Sequence, residues 1–233
     1  MQTFIRLAGC TVGKPFPKHK YEVHEDWVTK NGERVAKVDL PGLPVYTEQC
    51  TLFDGRKFAC DTDYRVKERM TPFQIMQEIP KKVQHVCITG GEPMMHNLDN
   101  LVSYLWGEDK IIHLETSGTI DKHVASDIWI TCSPKFNPYL SMIQRANELK
   151  ILVDKDFRPE IPMTTLINGT VQGVNLVELA ENKPIYLQPV NFEFEVDKDN
   201  LQLCIDIQQE FPAFRISVQL HKVMSQQTGE LVR

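Results

Sequence analysis

Short apolar runs recur along this chain, and each ends in glycine or polar residues. The runs are four to seven residues long and rich in β-branched side chains, which is typical of strands that are buried on both faces. Seven segments show the pattern: FIRLAG (4–9), HVCITGG (85–91), IIHLETSG (111–118), IWITCSPK (128–135), ELKILVD (148–154), PIYLQPV (184–190) and FRISVQLHK (214–222).

Helical patterns lie between some of these strands. TPFQIMQEIPKK has Thr71 as its N-cap and Pro72 in the first turn, and NLDNLVSYLW and DKDNLQLCIDIQQEF are the other two. Strands that alternate with helices imply right-handed crossovers and a parallel sheet. The sequence therefore predicts an α/β fold in a single domain over residues 1–233, with a parallel sheet that is either open or curled as a barrel.

Polar motifs follow the apolar part of five strands. They are Gly-Gly-Glu, Glu-Thr-Ser-Gly, Ser-Pro-Lys, Gln-Pro and Gln-Leu-His-Lys. In parallel α/β folds the carboxyl ends of the strands form the edge that binds ligands. Five such ends in succession predict a ligand site at that edge.

Composition excludes several classes of function. The net charge of -5 argues against a broad basic surface for nucleic acid. No run of about 18 apolar residues occurs, so we expect no membrane-spanning segment. The first residues, MQTFIRLAGC, do not resemble a signal peptide, and we expect a cytoplasmic protein.

Residues 11–49 interrupt the alternation of strands and helices. This region is rich in Lys, Glu, Pro and Gly, and it contains the strong hairpin-turn dipeptide Asn31-Gly32. We predict a small hairpin in WVTKNGERVAKV, carried on a long insertion outside the core.

Three of the six cysteines lie within apolar segments. Cys87 and Cys132 are in predicted strands, and Cys204 is in a predicted amphipathic helix. Buried cysteines behave as small hydrophobic side chains, and this is the role we expect for them.

The other three, Cys10, Cys50 and Cys60, lie at a strand end or in loops. Nine residues separate Cys50 from Cys60, which is too wide for zinc or redox motifs with two intervening residues. Three thiolates suit an iron–sulfur cluster with one iron left open. Uncoordinated thiols, and a zinc site completed by a histidine such as His19 or His24, are the alternatives.

Seven motifs follow one another along the chain in the order FIRLAGC, CDT, TGGEP, ETSGT, SPK, LQP and VQLHK. In this order they resemble the 7-carboxy-7-deazaguanine synthase family of radical S-adenosylmethionine enzymes. The resemblance runs from residue 4 to residue 222. It implies a partial TIM-like β/α barrel with a long insertion after the first strand. Cys10 and Cys60 match the first and third cysteines of the family motif, and Cys50 becomes the second. Residues 11–49 then form the insertion between the first two cluster ligands.

The same resemblance implies a [4Fe–4S] cluster whose open iron chelates S-adenosylmethionine, which one electron cleaves to a 5′-deoxyadenosyl radical. Two glycines let the backbone approach the methionyl amine, and a glutamate pairs with that cation. The implied cofactor-binding residues are Gly90, Gly91, Glu92, Glu115, Ser133, Lys135 and Gln188. For Glu115 and Lys135, a structural ion pair at the strand ends is the alternative.

The family substrate is 6-carboxy-5,6,7,8-tetrahydropterin, which is contracted to 7-carboxy-7-deazaguanine with loss of ammonia in 7-deazapurine (queuosine and preQ0) biosynthesis. Arg6 matches an arginine that meets the substrate carboxylate, and a guanidinium suits a planar anion. Thr89 and His221 match further substrate contacts. Thr62 matches a threonine whose hydroxyl binds Mg²⁺.

The resemblance also implies a homodimer and a flavodoxin-like or ferredoxin-like electron donor. Family members usually carry a strand and a Gln-Gly-Glu loop before the segment FIRL. This chain begins three residues before Phe4, so we expect a truncated chain, a misassigned start codon, or a pterin pocket that is closed in another way. A radical S-adenosylmethionine enzyme with another substrate and a zinc-binding non-enzyme are the alternative functions.

Overall fold

The computed structural model describes residues 2–12, 14–15, 22–23, 27–30, 33–36, 48–60, 68–191, 196–220 and 223–224. At residues 14–15, 22–23, 27–30, 33–36, 48–49, 57 and 59–60 it describes the backbone alone.

These residues form fifteen strands and five α-helices. The strands are β1 (Gln2–Leu7), β2 (Lys14–Pro15), β3 (Glu22–Val23), β4 (Trp27–Lys30), β5 (Glu33–Ala36), β6 (Glu48–Thr51), β7 (Lys57–Cys60), β8 (His85–Gly90), β9 (Ile111–Thr116), β10 (Trp129–Cys132), β11 (Glu148–Val153), β12 (Met163–Ile167), β13 (Thr170–Val174), β14 (Ile185–Pro189) and β15 (Phe214–Ile216). The helices are α1 (Pro72–Glu78), α2 (Asp99–Gly107), α3 (Leu140–Arg145), α4 (Leu176–Asn182) and α5 (Lys198–Glu210).

Seven strands form one parallel sheet in the order β1-β8-β9-β10-β11-β14-β15. They are the seven strands that the apolar runs predict, so the prediction of a parallel α/β fold is confirmed. Within the described residues β1 and β15 are the two edges, and the sheet does not close into a full barrel.

The two faces of this sheet differ in chemistry. One face carries buried apolar side chains such as Ile88, Leu114 and Ile151, which belong to one core cluster with side chains of α2, α3, α4 and α5. The alternate residues point away from that core, and many of them are polar and half-buried. We call this second surface the polar face. The expectation that both faces are buried is therefore confirmed for β8 and β10, whose consecutive residues are buried, and is wrong for β9, β11 and β14, whose alternate residues are only half-buried.

All three predicted helices are present, and α1 begins at its predicted cap. Thr71 and Gln74 form a reciprocal capping box at α1, where Thr71 Oγ1 accepts from Gln74 N (3.3 Å) and Gln74 Oε1 accepts from Thr71 N (2.8 Å). Asp197 caps α5 by accepting from Asn200 N at 2.9 Å. Sequence patterns missed α3, α4 and the antiparallel hairpin β12–β13, which are all short.

Two predicted strand regions need comment. β4 and β5 pair antiparallel with Lys30 opposite Glu33, so the hairpin around Asn31-Gly32 is confirmed. The predicted strand in the segment 214–222 is present over Phe214–Ile216, and farther along Val223 N donates to Gln219 O (3.2 Å), a helical hydrogen bond. The extent of the insertion, residues 11–49, stays a prediction.

Among the helices of the described part, none is both long enough and apolar enough to cross a membrane.

The cysteines expected to be core residues are buried. Cys87, Cys132 and Cys204 lie below the surface, and Cys132 and Cys204 belong to the main apolar cluster. Burial raises the pKa of each thiol to about 12, because an ionised thiolate would lose its hydration.

We expect these three thiols to resist alkylation in the folded, metal-free protein. At pH 8 a pKa near 12 leaves a thiolate fraction on the order of one in ten thousand, and the thiolate is the reacting form. Treatment with iodoacetamide followed by peptide mass spectrometry should find them unmodified, and unfolding in guanidinium should make all three react. Modification of Cys132 or Cys204 in the folded protein as fast as half-buried Cys10 would contradict their core placement.

Candidate functional site

The end of β1 is joined to the Gly-Gly-Glu motif by backbone hydrogen bonds. Gly91 N donates to Leu7 O (3.1 Å), and Glu92 N donates to Gly9 O (2.9 Å). Gly90 has φ +136°, and a Cβ there would lie 2.1 Å from Leu7 O. The close approach of β1 therefore requires glycine at this position, independently of any contact with a cofactor. The contact also fixes the backbone directly before Cys10.

The Glu92 carboxylate holds two strand ends together. It is 0% exposed, and Oε1 accepts from Met94 N (3.0 Å) and Thr116 Oγ1 (2.8 Å). Oε2 accepts from Ser117 N (2.7 Å) and from the Ser117 hydroxyl. Four protein donors thus surround a buried anion, which links the loop after β8 to the end of β9. Its predicted pairing with a methionyl amine stays a prediction.

Cys50 and Cys60 belong to the antiparallel hairpin β6–β7. Cys50 lies opposite Phe58 and is 4% exposed, while Cys60 ends β7 opposite Glu48. The hairpin reaches the carboxyl edge of the parallel sheet, since Leu52 bridges antiparallel to Lys135, which follows β10. Cys10 and Cys50 are therefore both carried to this edge.

No group of three potential metal-ligating side chains is found among those that the structure describes. The Cys60 side chain is outside that set, so the three-cysteine site is untested and stays a prediction. The donor set itself fits an iron–sulfur cluster, because thiolates are the usual protein ligands of such clusters.

The Ser-Pro-Lys motif lies directly beside the Glu-Thr-Ser-Gly motif. Ser133 N donates to Thr116 O (2.8 Å), and Lys135 N donates to Ser117 O (3.1 Å). The Lys135 ammonium donates to Ser133 Oγ (2.8 Å) and lies 6.0 Å from the centre of the Phe58 ring. This lysine therefore lies between the strand-end motif and the cysteine hairpin.

The last of the predicted cofactor residues, Gln188, is half-buried on β14, opposite Leu152 of β11.

A charged network crosses the polar face below this edge. Arg6 of β1 is in register with Thr89 of β8, whose hydroxyl donates to Glu115 Oε2 (3.2 Å). Lys150 of β11 donates to Glu115 Oε1 (3.1 Å). Burial by itself would raise the pKa of Glu115, but the Lys150 ammonium and the two hydrogen bonds, with a smaller effect of Arg6, hold it below its ordinary value. Glu115 is therefore an anion at neutral pH.

The sequence patterns do not indicate Lys150 as a site residue. They suggest a structural ion pair between Glu115 and Lys135, yet the structure pairs Glu115 with Lys150. The sequence signal for Lys150 is its position between Leu149 and Ile151 in an apolar strand. Because successive side chains of a strand point to opposite faces, a lysine between two buried residues lies on the other, polar face.

A second polar pair extends the network, with Thr131 Oγ1 donating to Glu148 Oε1 at 2.7 Å. Thr62 and His221, the predicted Mg²⁺ and substrate residues, lie outside the described residues.

The arrangement presents both signs of charge on one surface. Arg6 and Lys150 supply cations, Glu115 supplies an anion, and the backbone at residues 90–92 is fixed at the adjoining edge. Such a surface suits a small ligand that carries a carboxylate together with cationic or hydroxyl groups.

The pairing of Glu115 with Lys150 makes stability depend on pH. The folded-state pKa of Glu115 is lowered, so its contribution is present above the unfolded value of about 4.3 and is lost as pH falls through the folded-state pKa. In Lys150→Met, burial still disfavours the ionised form of Glu115, but the ammonium that compensates for it is gone. We expect this variant to lose about 1 kcal/mol of unfolding free energy at pH 7, because the pair is partly exposed, and less at pH 3.5.

The measurement is urea unfolding of the metal-free protein at both pH values. Lys82→Met, which alters an exposed lysine outside this network, is the control and should show no such pH dependence. A loss in Lys150→Met that is the same at pH 7 and pH 3.5 would rule out an electrostatic role for the pair.

Comparison with known proteins gives a consistent family. No protein-family model matches the chain. The chain is 30% identical over 166 residues to 7-carboxy-7-deazaguanine synthase of Bacteroides thetaiotaomicron, covering 71% of this chain and 78% of that protein. It is 29% identical to the Synechocystis enzyme of the same name, covering 95% of this chain and 82% of the relative, and 28% identical to that of Escherichia coli, covering 95% and 88%. The crystal structure of QueE from Escherichia coli matches with a TM-score of 0.46 and 25% identity, over 64% of each chain. On the identity and coverage of these relatives, this chain belongs to the 7-carboxy-7-deazaguanine synthase family.

Proposed function

We propose that this chain contracts 6-carboxy-5,6,7,8-tetrahydropterin to 7-carboxy-7-deazaguanine with loss of ammonia, as a radical S-adenosylmethionine lyase. The observation that carries the proposal is that the family motifs are joined to one another along one sheet edge. Hydrogen bonds link Gly9 to Glu92, Glu92 to Ser117, and Thr116 to Ser133. Motifs far apart in sequence thus form one continuous surface, as a shared ligand requires.

We assign Cys10, Cys50 and Cys60 as ligands of a [4Fe–4S] cluster. Three thiol ligands leave one iron of such a cluster open to a cofactor. When bound, the cluster and S-adenosylmethionine supply one-electron reductive chemistry that generates an organic radical. The protein contributes the thiolates and a buried environment, since Cys50 is almost fully covered.

Seven residues are assigned to S-adenosylmethionine. The backbone at Gly90 and Gly91 is rigidly fixed against β1, which suits close contact with the methionyl group. The four donors on Glu92 favour an indirect role, in which the carboxylate fixes the loop. The assigned residues are Gly90, Gly91, Glu92, Glu115, Ser133, Lys135 and Gln188.

The substrate is assigned to the polar face near β1. Arg6 is exposed there, with its guanidinium 6.0 Å from the centre of the Phe4 ring, and it can bind a planar carboxylate through two donors. Thr89 lies beside it and already orients Glu115. His221 as a further substrate contact and Thr62 as a Mg²⁺ ligand complete the proposal.

The partial TIM-like barrel, the homodimer, the flavodoxin-like or ferredoxin-like electron donor and the cytoplasmic location belong to this proposal as predictions. The parallel open sheet is compatible with the first of them.

The test is product analysis with the anaerobically reconstituted protein. Reduced enzyme, S-adenosylmethionine and 6-carboxytetrahydropterin should yield 7-carboxy-7-deazaguanine by mass spectrometry. Cys10→Ala, Cys50→Ala and Cys60→Ala should each abolish cluster binding and product, because each removes a thiolate ligand.

Cys204→Ala is the matched control, because Cys204 is buried in α5 and is not an assigned ligand. This variant should lose some stability but keep the iron content and the product yield of the wild type. If the wild-type protein binds the cluster and cleaves S-adenosylmethionine but forms no product, the substrate assignment is wrong and a different radical reaction replaces it. If Cys50→Ala retains the full cluster, the ligand assignment is wrong.

Arg6→Ala separates substrate binding from cofactor binding. A hydrogen bond to a charged group contributes about 1.5–3 kcal/mol, so we expect kcat/KM for the pterin to fall roughly 10-fold or more. S-adenosylmethionine binding should stay the same, because Arg6 is not assigned to it. Steady-state kinetics and a direct cofactor-binding titration measure the two effects.

Arg69→Ala, at an exposed arginine before α1, is the control for that variant. Equal weakening of cofactor and pterin by Arg6→Ala would move Arg6 out of the substrate site.

A further inference from the structure

The turn of the cysteine hairpin is partly buried, although hairpin turns are normally exposed. The hairpin turn is defined here as residues 52–56, which join β6 to β7. Leu52 is 1% exposed and Phe53 is 4% exposed, whereas Asp54 and Gly55 at the tip are exposed. Burial of the first two residues requires partners, and these lie along the carboxyl edge of the parallel sheet.

Apolar and backbone contacts hold the first half of the turn. Phe136 N donates to Thr51 O (3.2 Å), which continues the bridge between the hairpin and the segment after β10. The Phe53 ring meets the Phe157 ring edge to face, with 6.4 Å between their centres. Thr164 Oγ1 donates to the carbonyl of Phe53 (3.0 Å), which adds a contact from β12.

Arg56 holds the second half of the turn. Its Nε donates to Asp54 Oδ2 (2.7 Å) within the turn, and its guanidinium also forms an ion pair with Asp154, which directly follows β11. About a quarter of each side chain is exposed, since the values for Arg56, Asp54 and Asp154 are 25%, 26% and 23%. The pair is therefore partly shielded from water, where ion pairs are stronger than at the open surface.

Asp154 is itself held in place. Its Oδ1 accepts from Asp156 N (3.1 Å), and its carbonyl accepts from Phe157 N (2.9 Å). The same short turn thus supplies both the carboxylate for Arg56 and the ring that packs on Phe53. Arg56 and Phe53 together attach the hairpin to the end of β11.

The attachment is close to the proposed cluster ligands. Cys50 precedes Leu52 by two residues, and Cys60 follows Arg56 by four. The strands that carry them are paired through four register positions, from Glu48–Cys60 to Thr51–Lys57. β6 also pairs with β2, so the hairpin is held at that side and at its turn. Because a short paired hairpin moves as a unit, the attachment of its turn helps to fix the backbone at both cysteines.

We propose that Arg56 is a positioning residue for the cluster site, which through its ion pair with Asp154 holds the cysteine hairpin against the sheet. The proposal rests on the proposed function in that Cys50 and Cys60 are taken as cluster ligands. This role explains how two ligands separated by nine residues can still form a fixed site. The nine residues form most of a hairpin, and the ion pair provides the rigidity that a short loop would otherwise have given.

The first test compares Arg56→Gln with wild type after anaerobic reconstitution. Loss of the guanidinium should let the hairpin open more often, so iron release to a chelator should become about five- to thirtyfold faster. The electron paramagnetic resonance signal of the reduced cluster should broaden, because the ligand geometry becomes heterogeneous. Asp154→Asn should behave in the same way.

A charge-swapped double variant, Arg56→Asp with Asp154→Arg, places an arginine opposite Asp54 and the new aspartate. It should recover slow iron release and the narrow signal, which a general loss of stability would not allow. Arg145→Gln, which breaks the exposed ion pair with Asp121 (3.8 Å) at α3, is the matched control and should match wild type. Failure of the double variant to recover, or equal effects of Arg145→Gln, would overturn the proposal.

A second measurement does not depend on the cluster. In the metal-free protein, the alkylation rate of Cys50 should rise about five- to thirtyfold in Arg56→Gln, because opening of the hairpin exposes a thiol that is otherwise buried. An unchanged rate would overturn the positioning role even if cluster binding were normal. If wild type binds no cluster while Cys50 becomes reactive in Arg56→Gln, the proposed function fails and the hairpin attachment stands.

Discussion

The buried carboxylate of Glu92 is the interaction on which the site depends. It has no exposed surface, and it accepts hydrogen bonds from Met94, Thr116 and Ser117, while its own backbone N–H donates to Gly9. A buried carboxylate is tolerated only when donors surround it, so the loop after β8 and the end of β9 cannot separate without leaving it unpaired. The end of β1 is held at the same edge by backbone hydrogen bonds, in which Gly91 N and Glu92 N donate to Leu7 O and Gly9 O.

The polar face gives this edge its chemistry. Helices cover only one side of the parallel sheet, so alternate residues of the strands are free to carry charge on the other. Thr89, Glu115 and Lys150 come from three strands and form one network, in which the ammonium keeps the pKa of the carboxyl low despite burial. The chain belongs to the 7-carboxy-7-deazaguanine synthase family, and this surface is the one that we propose as the substrate site.

The cysteine hairpin shows how two widely spaced cysteines can be held in place. Cys50 and Cys60 are carried by paired strands, and the first two residues of the turn between them are buried near the segments that follow β10 and β11. Phe53 and Arg56 provide one apolar and one ionic attachment. The positions of the two cysteines therefore depend on residues far away in the sequence.

The sequence alone determined the elements whose signals are local. Seven apolar runs predicted seven parallel strands, Thr71 predicted the start of α1, and Asn31-Gly32 predicted the β4–β5 hairpin, because propensity, capping and turn chemistry act within a few residues. Tertiary structure decided which face of the strands is polar and which residues meet across it. Lys150 is 35 residues from Glu115, and Asp154 is 98 residues from Arg56. No local pattern encodes such pairs, since they exist only after the strands have taken their order in the sheet.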